Sequence, residues 1–198
     1  MKSVMLPIQP KWVERIITGK KTVEVRKTRP KIETPFKCYI YMTATRERCR
    51  FWEYMTAYQN SEGGILDGSQ KVIGEFVCSR IDRIGKRGIN NNFDYCYLSL
   101  SKWDNDDIEI EIADIQKSCI SKSELNAYGA NSFCLYAWHI SDLKIYDKPK
   151  ELGEFYKTCE EKSCRMCDWE REYDVCACAY KKPITRPPQS WVYVDELE

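Results

Sequence analysis

Apolar residues recur along this chain with two periods, one typical of strands and one typical of helices. Short apolar or alternating runs predict strands at 3–6, 22–26, 38–42, 71–84 and 133–145, and a last strand near the end of the chain. Apolar residues at helical spacing follow Pro10 and stop before Gly19, which predicts a short helix that ends in a left-handed residue. A capping box at Ser121 and Glu124 predicts a second helix, and Pro149 is expected to begin a third.

Polar and apolar residues alternate in the predicted strand at 22–26, so they lie on opposite faces. Val23 and Val25 point to one side of the predicted strand, and Thr22, Glu24 and Arg26 point to the other. One face is therefore expected to join the core, whereas the other carries charge.

Composition limits the class of protein. The 198 residues are 43% hydrophobic and 31% charged, which suits one or at most two folded domains and excludes disordered or collagen-like chains. An uncharged apolar run of the roughly 18 to 20 residues that a bilayer helix needs does not occur. The first residues also lack the apolar stretch of a signal peptide, so we expect a soluble, cytoplasmic protein with no membrane partner.

Charge is distributed unevenly along the chain. Residues 1–50 hold 13 Lys and Arg against 4 Asp and Glu, whereas residues 51–198 hold 18 against 26. The balances of +9 and −8 add to the net charge of +1. Such a basic segment favours an anionic partner, most commonly nucleic acid, although the two segments could instead neutralise each other across the folded surface.

The residues that follow the first helix resemble a known family. The segment at 19–26 (GKKTVEVR) matches G-x-K-x-x-E-x-R, a motif similar to the signature of the ASCH domain in the PUA-like superfamily of small β-barrels associated with RNA. The stretches at 74–76, 137–140 and 186–191 also look like those of ASCH proteins from bacteria and their phages. The resemblance implies an α+β fold, a PUA-like barrel of mixed strands with short peripheral helices. A shift in composition at Cys159 adds a C-terminal Cys-rich insert, which lies outside the minimal ASCH domain. We therefore expect a barrel at 1–150, the insert at 151–183 and a segment at 184–198 that returns to the barrel.

The motif residues suggest a ligand site. A sharp turn at Gly19 would present backbone amides, with the ammonium groups of Lys20 and Lys21 beside them, for a phosphate or another anion. Glu24 and Arg26 could form a charge pair whose remaining edges contact a base. We therefore expect these five residues to bind RNA, a nucleotide or a modified nucleoside. Alternatively, Glu24 and Arg26 are a surface pair that contributes little.

An enzymatic alternative comes from the same resemblance. Small ASCH amidohydrolases that act on N4-acetylcytidine use the motif lysine, a threonine and a glutamate from a later strand. Lys21 matches that lysine, and Glu75 matches the later glutamate. Glu24 occupies the threonine position and cannot serve as a hydroxyl nucleophile. If the protein is an enzyme, the catalytic candidates are Lys21, Glu24 and Glu75. They could act as general acids and bases, for instance in the cleavage of RNA. We hypothesise that these three residues and Arg26 line one polar cleft.

A third possibility is a module that binds another protein and in which this cleft has lost its function.

Other side chains offer separate chemistry. His139 is the only histidine, which excludes mechanisms that need two, and it is either directed to the cleft or a satisfied rim residue. The best candidates for base contact are three aromatic residues interleaved with arginines. They are Phe51, Trp52 and Tyr54, with Arg46, Arg48 and Arg50.

Eleven cysteines, an odd number, in an unsecreted chain favour reduced thiols over a disulfide scaffold. Five fall between 159 and 178, and one pair has C-x-x-C spacing, which is typical of structural zinc. The favoured ligands are Cys159, Cys164, Cys167 and Cys176, with Cys178 as the substitute. Free buried cysteines or adventitious disulfides are the alternatives, and the oligomeric state stays open.

Overall fold

Strands dominate the part of the chain that is described, with short helices between them. The computed structural model describes residues 2–44, 57–59, 62–89, 92–97, 116–158 and 182–197. The strands are β1 (Lys2–Ile8), β2 (Val23–Arg26), β3 (Phe36–Met42), β4 (Ala57–Gln59), β5 (Ile65–Asp67), β6 (Val72–Ile89), β7 (Asn92–Tyr97), β8 (Cys134–Lys150) and β9 (Val192–Asp195). The helices are α1 (Pro10–Ile17) and α2 (Lys122–Gly129), and a 3-10 turn covers Leu152–Glu154.

The chain divides into two units, and their boundaries fall at the first residues of α1 and β3 and inside β6 and β8. The first unit consists of Met1–Pro10, Lys37–Glu75 and Ile145–Glu198. The second unit consists of Lys11–Phe36 and Phe76–Lys144.

In the first unit, β1 is an interior strand. It pairs in parallel with β3, with Val4 opposite Cys38, and antiparallel with β9, with Val4 opposite Tyr193. All of β3 except Lys37 is buried, so this strand is covered on both faces. The core of this unit contains Met5, Tyr39, Tyr41, Val72, Phe155, Ile184 and Val194.

In the second unit, the strand order is β2-β8-β6, and β7 pairs with β6. The pairing of β2 with β8 is antiparallel and sets Val25 opposite Ala137. Val23 and Val25 pack with Ile84, Leu125, Leu135 and Ala137 in this unit's core. The predicted apolar face of 22–26 is therefore confirmed.

Local sequence signals correctly locate the end of α1 and the start of α2. Gly19 has a φ of 71°, in the left-handed region that glycine reaches without a Cβ clash. At α2, the side chain of Ser121 accepts from the Glu124 amide, and the Glu124 carboxylate accepts from the Ser121 amide. These bonds satisfy amides that the first turn of a helix leaves without an intrahelical partner.

The prediction of a third helix from Pro149 is wrong. Strand β8 continues through Pro149 to Lys150, and only the short 3-10 turn at Leu152–Glu154 follows. Tyr146 and Leu152 pack against the first unit's core, so tertiary contact outweighs the helical preference of this segment.

The expected α+β class with mixed strands and short helices is confirmed. No helix within the described ranges is long and apolar enough to span a lipid bilayer. The three-part division at 150 and 183 stays a prediction, and residues 159–181 lie outside the described part.

Replacement of Gly19 with alanine tests the turn. Because alanine is disfavoured at a φ of 71°, we expect Gly19→Ala to lower the free energy of unfolding by about 1 kcal/mol in urea denaturation. Gly153→Ala is the matched control, since an added Cβ there meets nothing within 4 Å and φ is ordinary. Equal losses of unfolding free energy in the two variants would contradict the assignment of a left-handed conformation to Gly19.

Candidate functional site

The ammonium group of Lys21 is turned into the protein. Its Nζ donates to the carbonyl oxygens of Val23, at 2.8 Å, and Ser118, at 2.6 Å. It also lies 3.2 Å from Oε2 of Glu24. A lysine ammonium has three N–H donors, and three protein oxygens surround this one. Lys21 therefore bonds to two other residues of the motif and to Ser118, which is 97 residues away in sequence.

The carboxylate of Glu24 lies between two cations. Oε2 contacts Lys21, and Oε1 is 3.1 Å from Nε of Arg26. The side chains of Lys21, Glu24 and Arg26 are only 0%, 8% and 9% exposed. We call these three residues the charged triad; its net charge is +1. Because an isolated buried charge is strongly unfavourable, each member depends on its neighbours.

Strand pairing places the triad beside aromatic residues. Glu24 lies opposite Trp138 on β8, and Arg26 lies opposite Tyr136. Trp138 is fully buried and makes an edge-to-face contact with Phe36, with ring centroids 5.7 Å apart. Charge interactions are less screened next to such apolar groups than in water, so the pairings of Glu24 gain strength.

A turn at 116–120 holds the motif from a second side. The carbonyl of Lys117 accepts from the amides of Thr22 and Val23, and Sγ of Cys119 donates to the carbonyl of Lys20. Sequence reasoning missed this turn, because its residues carry no motif and meet 19–23 only in the folded chain.

The amides at the end of α1 point back into the helix. Gly19 donates to the carbonyl of Ile16, and Lys21 donates to the carbonyl of Arg15. Gly19 therefore shapes the turn, and the positive charge near it comes from side chains. Lys20 is exposed beside it.

Three cations surround the ring of Trp12 on α1. The distances to the ring centroid are 4.5 Å for Nζ of Lys11, 5.0 Å for Cζ of Arg15 and 5.1 Å for Nζ of Lys21. Arg15 also donates to the carbonyl of Cys119, at 2.8 Å. The indole thus links the buried ammonium of Lys21 to two exposed basic residues.

Glu75 belongs to the first unit. Its Oε2 accepts a 2.6 Å hydrogen bond from the Tyr146 hydroxyl, and its Oε1 is 3.6 Å from Nζ of Lys37. Burial, and then the bond to Glu75, raise the pKa of Tyr146, so this phenol stays protonated. Glu196 is 2.7 Å from Lys37, and its hydrogen bond is the main cause that raises the pKa of that lysine. The structure brings together Lys21, Glu24 and Arg26, whereas the placement of Glu75 in a cleft with them stays a prediction.

His139 has a carboxylate partner. Its Nε2 is 2.7 Å from Oδ2 of Asp82, and Nε of Arg80 is 3.1 Å from the same oxygen. The histidine side chain is 14% exposed. This arrangement matches the alternative of a satisfied rim histidine.

The zinc prediction concerns residues that lie outside the described ranges, as do the aromatic and basic candidates at 46–54. Within the described residues, no group of three or more His, Cys, Asp or Glu could hold a metal ion. The cysteines whose side chains are described form no disulfide; they are Cys38, Cys78, Cys119 and Cys134.

The fold has relatives among solved structures. Two single-substitution variants of an ASCH protein from Zymomonas mobilis match with TM-scores of 0.51 and 0.50. The alignments cover 99% and 98% of this chain and 92% and 89% of those chains. This protein has the fold of an ASCH domain. The identity is 14%, so the likeness concerns the ASCH fold alone. No family model and no curated protein match the sequence.

Neutralising Glu24 tests the triad. We expect Glu24→Gln to lower the free energy of unfolding by about 3 kcal/mol, because two buried cations then lose their shared anion. Urea denaturation provides the measurement. Glu14→Gln, on the exposed side of α1, is the control and should change stability by less than about 0.5 kcal/mol. A similar small change for Glu24→Gln would show that the triad does not stabilise the fold.

Proposed function

We propose that the protein binds RNA or a modified nucleoside through Gly19, Lys20, Lys21, Glu24 and Arg26. The observation that carries this proposal is the charged triad, a net positive group formed by two residues of β2 and by Lys21 just before it. The net positive charge of this group favours an anionic ligand beside it, while the donors of Lys21 itself are used within the protein. The association of the PUA-like superfamily with RNA supports the same ligand class.

The five residues have different roles in this proposal. Gly19 sets the turn, and Lys21 orients Glu24 by donating to it and to two carbonyls. Arg26 supplies the second buried cation. Lys20 is exposed and places its ammonium where a phosphate group can reach it. Recognition therefore combines a buried charged group with one exposed contact.

The test is binding of a short, labelled, unstructured RNA, measured by fluorescence anisotropy at several salt concentrations. We expect affinity to fall steeply with salt, and Lys20→Gln to reduce the log–log slope by about 0.7, the value for one phosphate contact on a single strand. Lys148→Gln is the matched control, because Lys148 is also an exposed lysine but lies on β8 in the first unit. Its slope should equal that of the wild type.

Two results would count against the proposal. One is binding that does not respond to salt. The other is the same slope for Lys20→Gln and Lys148→Gln, which would mean that Lys20 contacts no phosphate.

The hydrolase alternative is favoured by one contact. Nζ of Lys21 lies 3.2 Å from the Glu24 carboxylate, so two of the catalytic candidates, an acid and a base, lie side by side. Turnover of N4-acetylcytidine by the wild type, and its loss in Lys21→Met under conditions where that variant is folded, would support the enzyme. Absence of turnover would reject the hydrolase, and absence of both turnover and salt-sensitive RNA binding would favour a protein-interaction module.

A further inference from the structure

The second unit exposes two aromatic side chains close together in sequence. Phe133 is 84% exposed and Tyr128 is 40% exposed, and they flank the turn that joins α2 to β8. Among the described residues, the other large hydrophobic residue with such exposure is Tyr156, in the first unit. A single exposed apolar side chain is ordinary in a folded protein, so the argument depends on what surrounds these two.

Each of the two rings has a cation beside it. Cζ of Arg83 is 6.0 Å from the centroid of Phe133, and Nζ of Lys27 is 5.1 Å from the centroid of Tyr128. These distances suit a cation–π contact. The contacts hold positive charge next to rings that remain accessible, in contrast to Trp138, which is fully buried.

The same region of the second unit is strongly basic. Residues 26–31 (RKTRPK) contain four basic residues and no acidic residue, and Lys27 and Arg29 are exposed. The pKa of Tyr136 is raised, chiefly by its hydrogen bond with Cys134, and the charges of Arg83 and Arg29 oppose that rise. Both guanidinium groups therefore lie near one phenol. Tyr136 in turn pairs with Arg26 across β2 and β8.

We propose that Phe133, Tyr128, Lys27, Arg29 and Arg83 form a stacking surface for unpaired bases of a single-stranded RNA. This inference rests on the proposed function and extends it, because it names a strand of several nucleotides as the ligand. Accessible rings stack on the flat faces of unpaired bases, which a duplex keeps stacked on one another. The three cations neutralise successive phosphates, which a free nucleoside does not have.

The experiment compares a short unstructured RNA with the same RNA annealed to its complement. We expect the wild type to bind the single strand more tightly than the duplex. Phe133→Ala and Tyr128→Ala should each weaken single-strand binding by roughly 5- to 150-fold, the effect of one lost stacking contact. Phe133→Leu, which stays apolar but has no flat face, should weaken it similarly. Tyr156→Ala, another exposed aromatic residue, should bind as the wild type does.

The outcomes separate this inference from the proposed function. If Lys20→Gln reduces the salt slope but the Phe133 and Tyr128 variants bind normally, the stacking surface is wrong and the proposed function stands. Equal losses for single strand and duplex, or a binding loss in Tyr156→Ala, would also overturn stacking. If the wild type binds no RNA and instead binds an acidic peptide, both proposals fail. Loss in the aromatic variants with no effect of Lys20→Gln supports the stacking surface and rejects the proposed contact of Lys20.

Discussion

The placement of one carboxylate between two cations is the constraint on which the rest of the site depends. Glu24 contacts Lys21 through one oxygen and Arg26 through the other, and all three side chains are almost fully buried. Removing such charges from water costs several kcal/mol each, which is offset only by good mutual geometry and additional hydrogen bonds. The carbonyls of Val23 and Ser118 supply those bonds to Lys21. The triad therefore fixes the turn, the start of β2 and the 116–120 segment together.

The position of the motif relative to α1 determines what kind of anion site is possible. The motif follows the C-terminal end of the helix, where the helix dipole is negative and the last carbonyls lack intrahelical partners. Basic side chains are favourable there, and the side chains of Arg15 and Lys21 donate to carbonyls of the 116–120 turn. The amides of Gly19 and Lys21 are used within the same helix end. Attraction for an anion must therefore come from side-chain charge, above all from Lys20, rather than from a helix terminus.

Sequence patterns located the features that depend on neighbouring residues. The left-handed Gly19, the α2 capping box and the alternation of β2 each involve residues within a few positions, so local rules suffice. Features set by contacts distant in sequence were missed. Ser118 meets Lys21 across 97 positions, and Arg83 reaches the ring of Phe133 from another strand. The continuation of β8 past Pro149 has the same origin, since Tyr146 packs against a core assembled from remote segments.

The buried and the exposed cations of the second unit have different roles. Lys21 and Arg26 are held by Glu24 and almost fully buried, so their charge sets the local polarity and contributes to the stability of the fold. Lys20, Lys27 and Arg29 are exposed, and their charge is available to a partner at little cost to the fold. If the protein binds RNA as proposed, a substitution inside the triad changes both stability and affinity, whereas a substitution among the exposed groups changes mainly affinity. The arrangement thus separates the residues that build the site from those that would give it strength toward a polyanion.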